Sequence, residues 1–156
     1  MRVAVAPSVA FRVFTEEIDR WWRTGLRFRV GGKRRSVLRL EPGVGGRLFE
    51  SFETGSGTRV FETGRVTAWE PPARLVFEWR AVNFAPSETT EVEVRFEPSA
   101  SGTLVTVTHR GWSRIPGDHP VRHGEDVPAF VRTIGLFWGD LMAAMRDHVA
   151  GAPNDP

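Results

Sequence analysis

The longest periodic stretch of the chain lies near its C-terminus and predicts one long helix from Val127 to Val149. Its apolar residues recur at three- and four-residue spacings, which places them on one wide stripe. They are Phe130, Ile134, Phe137, Trp138, Leu141, Met145 and Val149. Asp126 can cap the first turn, where Pro128 is tolerated. Gly151 and Pro153 predict the end of the helix. A stripe this apolar must be buried, so the helix should form part of a core.

The first 25 residues predict a short strand followed by two short helices. Arg2 to Ala6 alternates around two valines and is predicted as the strand. Pro7 and Ser8 open the first helix, because proline is tolerated in a first turn and serine can cap it. Thr15 is predicted to end this helix, and Glu16 to Trp22 forms the second one.

From residue 36 onward the apolar period changes from 3.6 to 2 residues, which predicts a series of strands separated by turns. They are Ser36 to Leu40, Arg47 to Phe52, Arg59 to Trp69, Arg74 to Trp79, Thr90 to Phe96 and Thr103 to His109. An antiparallel meander with one apolar face needs a partner for that face, and the long helix is the available one. We therefore predict an α+β domain over residues 1–150, with a tail over residues 151–156.

Composition narrows the class of protein without naming its activity. The chain is 40% hydrophobic and 11% aromatic, which is typical of a globular domain. It has no cysteine, which excludes disulfides and thiolate metal sites. No apolar run approaches the length of a membrane span, and no signal peptide is recognisable, so we expect a cytoplasmic protein. Lys33 is the only lysine among 21 basic residues, and the net charge is only +2.

Four stretches resemble a known family over nearly the whole chain. They are Pro7 to Trp22, the Gly-Gly-Arg hairpin from Pro42 to Phe49, the strand–Pro-Pro–strand segment from Gly64 to Trp79, and the last strand from Thr103 to Trp112. The chain thereby resembles the START-like (SRPBCC, helix-grip) superfamily, and within it the activator of heat-shock protein 90 ATPase homologues. The resemblance implies a curved antiparallel sheet wrapped around the long helix. It also implies an apolar internal pocket, and it brings no shared catalytic signature.

Strand and helix phases suggest which residues would line such a pocket. The predicted lining from the later strands and the helix is Phe77, Trp79, Val94, Phe96, Val107, His109, Phe130, Ile134, Trp138 and Leu141. Glu50 faces inward if Leu48 and Phe52 do, and Glu62 faces inward if Val60 and Val66 do. A one-residue bulge would turn either glutamate to solvent. The side chains could also fill the interior and leave no space.

Three functions are compatible with this pattern. The preferred one is binding of a small apolar or amphipathic ligand, such as a lipid or an aromatic metabolite, in a hydrophobic cavity. The second is a cofactor-independent enzyme resembling polyketide cyclases and aromatases, because a buried glutamate and His109 could act as general base and acid. The third is a protein-interaction module related to chaperones. We favour a protein that is not an enzyme, with no catalytic residue and no cofactor.

Two further features predict little chemistry. His119 and His123 have the H-x3-H spacing of a metal pair, but they lie in a Pro/Gly loop and are predicted to be solvent-exposed, so no metal is expected. The basic run from Arg20 to Arg39 is interleaved with aromatic residues, as in some nucleic-acid sites. The low net charge favours a solvated face, so nucleic acid is not an expected partner. A homodimer remains open.

Overall fold

The computed structural model describes residues 1–151 and contains seven strands and three α-helices. The bounds are β1 Arg2–Val3, α1 Pro7–Glu16, α2 Ile18–Trp21, β2 Ser36–Leu40, β3 Arg47–Thr54, β4 Gly57–Glu70, β5 Arg74–Trp79, β6 Thr90–Ser99, β7 Gly102–Arg110 and α3 Val127–Gly151. Two short 3₁₀ turns, Trp112–Arg114 and Pro120–Arg122, lie between β7 and α3.

The strands form one antiparallel sheet in the order β1-β7-β6-β5-β4-β3-β2. The sheet is curled, and the long C-terminal helix completes the fold. The predicted α+β helix-grip fold is confirmed. β2 and β5 have the predicted bounds, and the other long strands extend one to three residues beyond them, because backbone pairing continues into the turns.

The core lies between the apolar face of the sheet, the two short helices and the C-terminal half of α3. Phe14 and Phe96 meet edge to face with ring centroids 5.8 Å apart, and Phe11 lies 5.2 Å from Phe96. Four of the predicted lining residues are completely buried in this packed region and border none of the cavities described below: Phe77, Val94, Phe96 and Leu141. The interior beside the C-terminal half of α3 is therefore filled.

The long helix begins as the sequence predicts. The Asp126 carboxylate accepts a hydrogen bond from the Ala129 backbone N–H at 2.9 Å, which caps the first turn. The described helix runs through Gly151, and Pro153 lies outside the described residues. No helix in residues 1–151 is long and apolar enough to cross a membrane.

The N-terminal helices divide differently from the prediction. α1 runs through Thr15 to Glu16, and the Thr15 hydroxyl donates to the Phe11 carbonyl at 2.8 Å within the helix. Ala6 occupies the N-cap position without a side-chain cap, and Ser8 lies inside the helix. The first strand is also shorter than predicted and ends at Val3.

A bulge in β4 reverses the predicted side-chain phase. Leu48 pairs with Gly64 but Phe49 pairs with Glu62, so Thr63 is an extra residue between them. Thr63 is consequently buried, and the inward orientation predicted for Glu62 is wrong. The Glu62 carboxylate lies on the outer face and accepts a hydrogen bond from Arg65 at 2.8 Å.

Candidate functional site

A two-chambered cleft opens between the sheet and the first half of α3. The larger chamber has a volume of about 500 Å³ and is bordered by β2 to β5, the α2–β2 loop and the loop after β5. The smaller chamber, about 300 Å³, reaches the β7–α3 loop. The chambers are adjacent and share six bordering residues: Leu26, Arg27, Trp79, Ala81, His123 and Phe137.

The α2–β2 loop, residues 22–35, is fixed by a buried arginine. Arg29 is only 5% exposed, and its guanidinium donates to the Asp19 carboxylate at 2.8 Å. It also donates to the backbone carbonyls of Trp22, at 2.8 Å, and Asp19, at 3.0 Å. Asp19 in turn accepts from the Leu38 backbone N–H at 2.9 Å. One guanidinium thus ties the loop to both α2 and β2. The prediction of a solvated basic face is wrong at this position.

A second buried arginine fixes the β7–α3 loop. Arg122 is 3% exposed and donates to three carbonyls, those of Trp112 at 2.8 Å, Ile115 at 2.7 Å and Pro116 at 3.1 Å. Its guanidinium also lies over the Phe130 ring, 5.4 Å from the centroid. Because this loop carries residues that border the smaller chamber, Arg122 fixes the second wall of the cleft.

Glu50 is a buried carboxylate that borders the larger chamber. It faces inward, as the alternation in β3 predicted, and is 2% exposed. One carboxylate oxygen accepts from the Val30 N–H at 3.0 Å, and the other accepts from the Gly31 N–H at 2.5 Å. A Cβ at residue 31 would lie 3.1 Å from that second oxygen, so glycine allows the close approach. The carboxylate is held in place by backbone amides.

His109 borders both the cleft and a separate groove, and both of its ring nitrogens have partners. The Trp138 indole N–H donates to Nδ1 at 3.0 Å, and Nε2 lies 2.7 Å from the Thr90 hydroxyl. Because an indole N–H can only donate, Nδ1 carries no proton and Nε2–H donates to Thr90. Burial lowers the pKa of His109 to about 3. The imidazole is therefore neutral, and each of its ring nitrogens already has a hydrogen-bond partner.

This arrangement does not assemble the acid–base pair that the enzyme hypothesis requires. Glu62 lies on the outer face, and His109 is bonded to Trp138 and Thr90, with no bond to a carboxylate. Glu50 is held by backbone amides and makes no hydrogen bond to a histidine. The geometry therefore gives the catalytic interpretation no support.

The twelve predicted ligand-binding residues separate into distinct regions. Five border the cleft: Glu50, Trp79, His109, Phe130 and Ile134. Val107 and Trp138 border the separate groove, about 530 Å³, between β7 and α3. Four lie in the packed core and Glu62 lies outside. Sequence reasoning missed several aromatic side chains of the larger chamber: Trp22, Phe28, Phe61 and Phe137. Phe137 belongs to the α3 stripe, so its spacing was a usable signal.

The loop composition predicted that both histidines of the H-x3-H pair are exposed, and this prediction is wrong for His119. His119 is buried, and both of its ring nitrogens have partners: Nε2 contacts the Glu88 carboxylate at 3.0 Å, and Nδ1 accepts from the Val121 N–H at 3.1 Å. His123 is exposed, as predicted, and borders the cleft. Within residues 1–151, no group of three histidine or carboxylate side chains is placed to hold a metal ion.

The neutral His109 predicts a pH-dependent stability. The folded state keeps the imidazole unprotonated down to about pH 3, whereas the unfolded chain binds a proton near pH 6.5. The unfolded state therefore binds more protons between these values, and the free energy of unfolding falls as the pH drops below 6.5. We expect His109 to contribute a loss of about 1–2 kcal/mol between pH 7 and pH 5.

Urea unfolding of the wild type and of His109→Gln at pH 7 and pH 5 measures this contribution. The glutamine variant has no imidazole to protonate, so the stability advantage of the wild type over it should shrink at pH 5. A constant difference between the two proteins across this range would show that His109 does not titrate as the buried geometry requires.

The comparisons with known proteins agree with this architecture. The family model for "Activator of Hsp90 ATPase homolog 1-like protein" matches residues 4–129. No curated protein sequence matches the chain.

Solved bacterial structures share the fold at low sequence identity. A protein from Mesorhizobium loti is 16% identical with a TM-score of 0.62, and the match covers 99% of this chain and 95% of that one. The Aha1 dimer from Colwellia psychrerythraea is 16% identical with a TM-score of 0.60 over the same shares. An AHSA1 protein from Silicibacter pomeroyi is 18% identical with a TM-score of 0.57, covering 96% and 94%. The chain belongs to the family of Activator of Hsp90 ATPase homolog 1-like proteins, within the START-like fold.

Proposed function

We propose that this protein binds a small apolar or amphipathic molecule in the cleft between the sheet and α3. The observation that carries the proposal is the larger chamber, about 500 Å³, which is bordered by aromatic and aliphatic side chains, one buried carboxylate and three arginines. Small-molecule sites typically have this volume range and this composition, with a few polar groups that orient the ligand. The START-like fold, whose members commonly bind hydrophobic ligands, supports the same function.

The fixed walls of the cleft also support binding. Arg29 and Arg122 hold the two bordering loops through several hydrogen bonds each, and both are buried. A binding site that is already ordered loses less conformational entropy when the ligand enters. The ligand would therefore meet a largely formed surface, and would not need to order a loop.

A blocking substitution tests the proposal. Ala81 borders both chambers, so Ala81→Trp should fill part of the cleft and weaken binding of the neutral apolar dye Nile red at least tenfold. The control is Ala100→Trp, which adds the same side chain at an exposed turn between β6 and β7. Fluorescence titration measures both. Equal affinities of the two variants for the dye would refute the cleft as the binding site.

The natural ligand can be sought directly. Native mass spectrometry of gently purified protein, followed by solvent extraction, should reveal a discrete additional mass that is lost on unfolding.

A homodimer is a further proposal, supported by the dimeric relative from Colwellia psychrerythraea, and the mass of the protein in solution decides it.

A further inference from the structure

We propose that the ligand is an organic cation, with an ammonium group that binds at Glu50 and an apolar body that occupies the rest of the cleft. This inference rests on the proposed function, because it specifies the chemistry of the molecule held in the same site. It is carried by the charge and burial of Glu50 and by the aromatic rings that border the same chamber.

Glu50 lacks a cationic partner within the protein. No lysine, arginine or histidine nitrogen in residues 1–151 lies within 4.0 Å of its carboxylate oxygens. Its two oxygens accept one backbone N–H each, from Val30 and Gly31, which leaves acceptor capacity on both. A buried carboxylate is stabilised by a paired opposite charge. A ligand that enters the chamber can supply that charge.

The aromatic composition of the larger chamber fits the same class of ligand. Five aromatic side chains border it together with Glu50: Trp22, Phe28, Phe61, Trp79 and Phe137. The faces of tryptophan and phenylalanine attract cations, and aromatic enclosures are a recurrent way of binding quaternary ammonium groups. A carboxylate among such rings favours a cation over a neutral molecule of the same shape.

The arginines that border the chamber are directed to other partners. Arg29 is bonded to Asp19, and Arg27 forms an ion pair with Asp140. Arg80 donates to two backbone carbonyls of the loop that follows it, at 2.7 and 2.8 Å. None of these guanidinium groups is paired with Glu50. If the positive charges of these arginines determined which ligand binds, the cleft would prefer an anion. Comparing the affinities for a cation and an anion therefore tests whether Glu50 or the arginines set the preference.

The experiment compares three probes that share one tail: octylammonium, 1-octanol and octanoate, each titrated by isothermal calorimetry below its micelle concentration. We expect the wild type to bind octylammonium at least tenfold more tightly than octanoate and more tightly than octanol. The net charge of +2 would favour the anion, so this order requires a local negative group. Tighter binding of octanoate would overturn the inference.

Two matched variants assign the preference to Glu50. Glu50→Gln should reduce the preference for the cation over octanol to about one, with octanol binding changed less than twofold. Glu62→Gln removes the same charge from the outer face of the sheet and should leave all three affinities unchanged. Octanol binding without a cation preference would overturn the cation inference alone. Failure of all three probes to bind would count against the proposed function. If Glu50→Gln does not fold, the wild-type order of the three probes still decides the inference.

Discussion

Replacing Arg29 with alanine is expected to lower the free energy of unfolding by about 3 kcal/mol and to weaken ligand binding together with it. The buried guanidinium bonds to the Asp19 carboxylate, to the backbone carbonyls of Asp19 and Trp22 at the α2 end of the α2–β2 loop, and to the Ser36 carbonyl at its β2 end. Breaking a buried ion pair by removing one partner costs about 3–5 kcal/mol. The lower end applies because the Asp19 side chain is 41% exposed and can regain water. Chemical denaturation measures the change.

Arg27 provides the matched control on the same loop. It also forms an ion pair, with Asp140, but both side chains are about half exposed. Exposed pairs contribute about 0–1 kcal/mol, so Arg27→Ala should change stability by less than about 1 kcal/mol. Arg29→Lys should recover little of the loss, because an ammonium cannot reproduce the planar set of donors. If Arg27→Ala and Arg29→Ala destabilised the protein equally, the loop would not depend on the buried guanidinium.

The sequence predicted the order of elements because each long element carries its own local signal. The two-residue alternation of β5 and β6 and the wide apolar stripe of α3 are properties of consecutive residues. The Asp126 cap is equally local, since its partner lies three residues away. These features therefore appear in the structure as predicted, apart from small shifts at their ends.

The orientation of Glu62 could not be read from β4 alone. The bulge depends on how β4 pairs with β3, where Thr63 is inserted opposite the step from Leu48 to Phe49. At Gly64 the backbone of β5 comes so close that a Cβ would lie 1.5 Å from the Glu78 carbonyl oxygen. These are contacts between strands, and no alternation within one strand encodes them.

The cleft was only partly predictable for a related reason. Residues such as Trp79 and Ile134 border it because they lie on regular elements whose phase can be counted. Phe28 borders it from an irregular loop, and Arg29, which fixes that loop, is one of many arginines in a basic run. From residue type alone, every one of these arginines is predicted to be exposed. Only the position of Asp19 and the surrounding carbonyls distinguishes the buried one.

Trp138→Ala is expected to have the largest effect on stability, about 3–5 kcal/mol, the usual cost of truncating a buried tryptophan. Trp138 is 6% exposed and lies at the centre of an aromatic cluster, with ring centroids 5.7 Å from Trp22 and 5.9 Å from Trp79. Both neighbours border the larger chamber, so the truncation should also disturb the cleft. The control is Leu136→Ala on the same helix, where the side chain is 66% exposed and the loss should be below about 0.5 kcal/mol.

Trp138→Phe separates the hydrogen bond from the packing. Phenylalanine keeps an aromatic ring but removes the indole N–H, so Nδ1 of the half-buried His109 loses its donor. An unsatisfied buried acceptor costs about 1–3 kcal/mol, and the partial burial of His109 favours the lower end; the smaller ring adds a packing loss. The same change frees Nδ1 to bind a proton, so the pKa of His109 should rise in the variant, which NMR titration of the imidazole measures. An unchanged pKa in Trp138→Phe would show that burial alone keeps His109 neutral and that the indole bond plays no part in it.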